Sequence, residues 1–243
     1  MKIGLISRGR TQSTAIIQTL AKRHKLINNF ETYFGAANAI KKELHPNNSL
    51  YDEFQLSIKN VTDTIFTSKN FICKIWPSML IVPPDKFESH QTFDDIKSRI
   101  IFNISEYLRI SEYDQLYYIN KELQHSTLSW VYAKKTRRFH RFNKHIKYNS
   151  PVITIDDNDL DRLRFYILEY CLQEKIKDFL CKQKIPYTDI SETYTQYIDD
   201  SMLNTSATNN DYPNLITNSD TISKFIDDWY NICCENTIDW KYY

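Results

Sequence analysis

Ser7-Arg8-Gly9-Arg10-Thr11-Gln12-Ser13-Thr14 is the stretch of this chain whose residue types and spacing could act together as a chemical unit. Two arginines supply permanent charge and forked donors, and the hydroxyls of Thr11, Ser13 and Thr14 can reach anionic oxygens. The short apolar run 3–7 leads into it, and Ile16, Ile17 and Leu20 follow at the spacing of one buried helix face. The order is therefore strand, tight loop, helix, which puts free backbone N–H groups and the positive end of a helix dipole at the loop. Phosphate or sulfate is the natural guest of such a place. The plainer alternative is that Thr11 or Ser13 caps a helix and the arginines are solvated.

Composition narrows the chemistry. The 243 residues contain three glycines, Gly4, Gly9 and Gly35, where about 7%, or roughly 17, is usual. Neither a Gly-x-Gly-x-x-Gly dinucleotide turn nor a Gly-x-x-x-x-Gly-Lys-Ser/Thr phosphate loop can form. A glycine that survives such scarcity is a clue, and Gly9 lies inside the candidate loop. Hydrophobic residues at 42%, charged residues at 25% and a net charge of +1 describe a folded globular chain and name no partner. Five cysteines, with no apolar signal segment after Met1, lead us to expect reduced thiols and a cytoplasmic setting. Apolar runs fall short of the roughly 20 residues that span a bilayer, so no membrane partner is expected.

Further elements must position the loop. Residues 26–30, 71–76, 115–120 and 152–155 read as strands, and 185–190 as a last edge strand. Helices are expected over 96–110, from Leu123 through Tyr132, and from Asp156, Asp157 and Asp159 through Leu163, Ile167 and Tyr170. Residues 45–49 read as a loop, Pro77, Pro83 and Pro84 end a strand, and 204–219 form a polar surface loop. A helix over about 220–235 carries an apolar stripe of Ile222, Phe225, Ile226, Trp229, Tyr230 and Cys233 that should dock on the rest. Strands alternating with helices predict one α/β domain over 1–243, three layers α/β/α around a mostly parallel sheet, with ligands beyond the carboxyl ends of the strands.

Arg8-x-Arg10-Thr11-x-Ser13-Thr14 resembles the 5′-phosphosulfate loop of the P-loop sulfotransferases. The likeness is to the bacterial trehalose-type carbohydrate branch and related phage-encoded proteins. It implies a fold like that of the P-loop nucleoside-triphosphate hydrolases and 3′-phosphoadenosine 5′-phosphosulfate as co-substrate, bound by Arg8, Gly9, Arg10, Thr11, Gln12, Ser13 and Thr14. Arg10 matches the basic residue that neutralises the bridging oxygen. Gln12 stands where the family usually has glycine. Lys121 and Ser129, eight residues apart after the strand 116–120, resemble the pair that binds the 3′-phosphate, with lysine replacing arginine. Cys73-Lys74-Ile75-Trp76-Pro77 resembles the strand bearing a lysine near the transferred group. Trp76 holds the place of the cytosolic branch's histidine base, so Glu31, in Glu31-Thr32-Tyr33-Phe34, is the candidate base. Residues 185–190 resemble the family's downstream Tyr-Glu-Asp-Leu segment. The resemblance further implies a small hydroxyl acceptor such as a carbohydrate, no metal, and the cytoplasm of a bacterium or phage-infected cell.

Two other features compete. Residues 134–147 carry seven lysines and arginines, two histidines and no acid, which suits a solvated face, an anionic rim or, as the weakest reading, a nucleic-acid contact. The apolar run 152–155 ending at Asp156 resembles the magnesium-organising strand of a phosphotransferase, against a plainer reading of Asp156 or Asp157 as a helix cap. The alternatives to a sulfotransferase are thus a non-catalytic descendant that binds nucleotide or nucleic acid, and an ATP-dependent kinase.

Overall fold

The computed structural model describes residues 1–8, 11–26, 28–30, 60, 62–77, 109–136, 151–199 and 212–235. Its strands are β1 (Lys2–Ile6), β2 (Asn28–Phe30), β3 (Phe71–Ile75), β4 (Gln115–Tyr118) and β5 (Thr188–Asp189). The helices are α1 (Ser13–Arg23), α2 (Leu123–Thr136), α3 (Asp157–Lys182), α4 (Tyr212–Leu215) and α5 (Ser219–Glu235), with short 3-10 turns at Ile110–Glu112 and Tyr194–Tyr197. The sheet runs β2-β3-β1-β4-β5, and every pairing in it is parallel. Ile6, the last residue of β1, stands beside Ile75 on one side and Tyr118 on the other.

Near-continuous apolar runs in β1 and β3 follow from burial on both faces. On one face Ile3, Leu5 and Ile72 pack against Ile16, Ile17 and Leu20 of α1. Each of those three helix residues is almost fully buried, a contribution of about 1.5–3 kcal/mol apiece. On the other face Ile6, Cys73, Ile75, Leu116 and Tyr118 meet α2, α3 and α5 through Leu128, Leu163, Ile167 and Ile226. The expected α/β layering around a parallel sheet is present.

Gly4 explains part of this closeness. A Cβ there would lie 2.8 Å from Leu116 Cδ2 and 3.0 Å from Ile75 Cδ1. The middle strand is thus free of a side chain where its two neighbours converge.

Two expectations need correction. Residues 152–155 are not a strand of the sheet; Ile153 makes a single parallel bridge to Ile216. Their backbone groups are met elsewhere: the Asn218 side chain donates to the Ile155 carbonyl and accepts from its N–H, at 2.9 and 3.1 Å. The polar segment 204–219 is not loop throughout, because Tyr212–Leu215 is helical and Tyr212 is buried against His125 and Tyr132. Residues 204–211 lie outside the described residues, as do 45–49, Pro83, Pro84 and 96–108.

The remaining elements stand close to expectation. β4 is paired only to Tyr118, and β5 is two residues at the sheet edge. The stripe of α5 buries Ile222, Ile226, Trp229 and Cys233. Asp156 caps α3, accepting from the Asp159 N–H while Asp159 reciprocates, a capping box. No helix among the described residues is long and apolar enough to cross a membrane.

Candidate anion-binding site

Neighbouring strands β1 and β4 send the chain in opposite directions. After β1 it passes through α1, on one face, to β2 at one edge of the sheet. After β4 it passes through α2 and α3, on the other face, to β5 at the opposite edge. Such a switch point leaves a crevice outside the carboxyl ends of the two strands, the usual ligand position in open α/β sheets. The strand order is neither the 3-2-1-4-5 of dinucleotide-binding folds nor the 2-1-3-4-5 of flavodoxin-like ones. The two segments singled out from the sequence, 7–14 and 120–129, begin on opposite sides of that crevice.

Arg8 ties them together. Its side chain is fully buried, with the guanidinium 4.9 Å from the Tyr166 ring and 4.4 Å from the Tyr170 ring. Nε donates to Asn120 Oδ1 at 3.1 Å, and Nη2 donates to the Lys121 carbonyl at 3.0 Å and to Ser126 Oγ at 2.5 Å. Asn120 is held in turn, donating from Nδ2 to Glu174 Oε1 at 2.6 Å, an oxygen that also accepts from the Tyr118 hydroxyl. Burial, then the neighbouring Glu174 carboxylate, pushes the Tyr118 phenol well above its ordinary range, so it remains a donor. Three of five guanidinium donors are used, and the two on Nη1 meet no partner among the described residues.

The turn into α1 is built from backbone and hydroxyls. Thr11, fully buried, donates from Oγ1 to the Arg8 carbonyl at 3.0 Å. Gln12 follows at φ 62° and ψ 17°, the left-handed region that a glycine occupies most easily. Its carbonyl accepts the first helical bond, from the Ile16 N–H at 3.2 Å. No side chain caps α1, and no acid stands in its first turn. Ser13 is buried there and Thr14 half-buried. The contrast with α2 is electrostatic. Glu122 accepts from the Gln124 and His125 N–H groups, so a carboxylate already occupies that helix start.

Lys74 comes from the neighbouring strand β3, and Trp76 directly follows that strand. Lys74, beside Leu5 in register, is buried, and its ammonium lies 3.6 Å from the centroid of the Trp76 ring. Lys121 sits just past β4, its ammonium 4.5 Å from the Tyr194 ring centroid, and its N–H donates to Asn120 Oδ1. Ser129 is buried on α2. Gly9, Arg10 and Glu31 lie outside the described residues, and so does 137–147 of the basic stretch. The described end of that stretch is paired, because Lys135 binds Asp156 at 2.7 Å and Asp159 at 2.5 Å. Lys135 holds the Asp156 carboxyl below its ordinary range.

Several residues that follow the carboxyl ends of β1 and β3 carry a buried polar atom without a partner. Among the described residues these atoms include Ser7 Oγ, Arg8 Nη1, Gln12 Oε1 and Trp76 Nε1. Most buried polar groups are satisfied in folded proteins, by protein or by water. Asn120, Ser126, Tyr166, Tyr170 and Glu174 belong to the same network and were not singled out from the sequence. Tyr166 and Tyr170 stand four residues apart on one helix, which puts both rings on one face. That spacing alone names no partner for them.

No family model, curated protein or solved structure matches the chain.

Proposed function

We propose that the chain binds a phosphorylated nucleotide across the crevice between β1 and β4, and that it is a sulfotransferase using 3′-phosphoadenosine 5′-phosphosulfate. The observation that carries this reading is the meeting of segments 7–14 and 120–129 through Arg8 at the switch point of the sheet. The start of α1, with no side-chain cap and no acid in its first turn, suits an anion there. The P-loop-type fold implied by the resemblance is compatible with the parallel sheet.

In this reading the free amides at the start of α1, with Ser13, Thr14 and Arg10, hold the 5′-phosphosulfate, and Lys121 and Ser129 hold the 3′-phosphate. An acceptor hydroxyl attacks sulfur in line. The new O–S bond forms as the bond from sulfur to the bridging oxygen breaks, and the electron pair leaves on the 5′-phosphate. Glu31 takes the acceptor proton, Arg10 stabilises the leaving charge, and Lys74 assists at the sulfuryl oxygens. The acceptor is a small hydroxyl compound, a carbohydrate by resemblance.

The kinase alternative asks Asp156 to hold magnesium, and that carboxylate caps α3 and pairs with Lys135 instead. The test is transfer of labelled sulfate from the nucleotide to a panel of sugars. Transfer that falls about 10²-fold to 10³-fold in Arg10→Ala supports the reading. Transfer unaffected by that substitution contradicts it, and nucleotide binding without transfer favours the non-catalytic descendant.

A further inference from the structure

We infer that Arg8 is a positioning residue: it sets the distance between the loop entering α1 and the loop leaving β4, and so makes the site prefer a ligand with two separated anionic groups. The inference rests on the nucleotide reading above. Arg8 is fully buried and directs three of its five guanidinium donors to the chain. Nε and Nη2 grip Asn120, Lys121 and Ser126 on one side of the crevice. On the other side its own carbonyl is gripped by Thr11, one residue before the left-handed Gln12. The backbone of the α1 turn and the backbone of Lys121 are therefore joined through one buried residue, whose side chain ends in a planar guanidinium fork.

Tyr166 and Tyr170 flank that group at 4.9 and 4.4 Å and leave it little freedom to swing. Asn120, the acceptor for Nε, is fixed by Glu174 below and by Ser191 Oγ, which accepts from its N–H at 3.0 Å. A lysine could keep the charge at position 8 and could not make this three-bond fork. A ligand with a single anionic end meets one loop and gains nothing from the fixed spacing. A ligand with anions at both ends gains from it, because the spacing between Arg8 and Lys121 is already set when it binds.

The test uses the full chain with adenosine 3′,5′-bisphosphate and adenosine 5′-monophosphate, titrated calorimetrically against the wild type, Arg8→Lys and Ser126→Ala, each checked for folding by circular dichroism. The wild type should prefer the bisphosphate. That preference should fall about tenfold in Arg8→Lys and in the same direction in Ser126→Ala, while affinity for the monophosphate stays within about threefold. Ser126→Ala removes one bond and keeps the arginine, so it decides the matter if Arg8→Lys does not fold. An undiminished preference in the folded variants overturns the inference alone. A parallel loss of affinity for both nucleotides also overturns it, since Arg8 would then be a general support of the fold or a direct ligand of the 5′ group. Failure of the wild type to bind either nucleotide overturns the nucleotide reading and the inference with it.

Discussion

The guanidinium of Arg8 donates to the carbonyl of Lys121 at 3.0 Å, joining residues 113 positions apart that follow two neighbouring parallel strands. A buried charge without an ion pair is expensive unless hydrogen bonds and aromatic faces surround it. Here both are present, and among the described residues no carboxylate pairs with Arg8 directly. Glu174 reaches it only through Asn120.

Backbone strain at Gln12 can be measured against packing at Gly4. Left-handed backbone costs a non-glycine residue about 1–2 kcal/mol, and glycine loses about 0.5–1 kcal/mol in chain entropy. Gln12→Gly should therefore stabilise the fold by up to about 1 kcal/mol. Gly4→Ala should destabilise it by about 1–3 kcal/mol, because the new methyl meets Leu116 at 2.8 Å in a packed interior. Urea unfolding of both variants checks the pair of signs.

These two positions show what was legible in the sequence. The glycine count drew attention to Gly9, and the glycine whose need is visible is Gly4, inside an apolar run where no pattern marks a close approach of strands. Gln12 stands where the resembled family has glycine, and its left-handed backbone is a property of the turn that residue type does not announce. Strand and helix order through β1, α1, β3, β4 and α3 followed from periodicity and caps, because those signals are local. The Ile153 bridge and the buried Tyr212 depend on contacts about sixty residues or more away, such as Asn218 with Ile155 and Tyr212 with Tyr132. Arg8 was legible as a charged loop residue, and its burial was not, since Tyr166 and Tyr170 lie more than 150 positions away.

Thiol chemistry should separate the five cysteines. Cys181 and Cys234 are exposed, and Cys73, Cys171 and Cys233 are buried. Burial pushes the Cys73 thiol up to about 12 despite its 3.0 Å contact with the Tyr113 hydroxyl. Iodoacetamide at pH 8, followed by peptide mass spectrometry, should label Cys181 and Cys234 in the native protein and the other three only after unfolding. Rapid native labelling of Cys73 would contradict the packing of β3.

Acid should weaken the edge of the sheet through Asp189. Burial alone would raise its carboxyl, but Lys177 at 2.8 Å and two bonds from Ser191 outweigh it and hold the carboxyl below its ordinary range. A depressed folded-state value means stability that is complete above the unfolded value of about 3.9 and is lost as pH falls through the folded one. Asp189→Asn should be less stable than the wild type at pH 6, and the gap should close below about pH 4. Unfolding curves across pH 2.5–6 would show it, and a gap independent of pH would contradict it.

The most direct test of the central claim is thermal unfolding of the purified chain with adenosine 3′,5′-bisphosphate, and separately with ATP and magnesium, repeated on Arg10→Ala and Lys121→Ala. At 100 times its dissociation constant a ligand stabilises the folded state by about 2.7 kcal/mol, a shift easily seen. The nucleotide reading predicts an upward shift with the 3′-phosphorylated nucleotide that both substitutions abolish. A shift with ATP and magnesium alone, or none with either nucleotide, would contradict it.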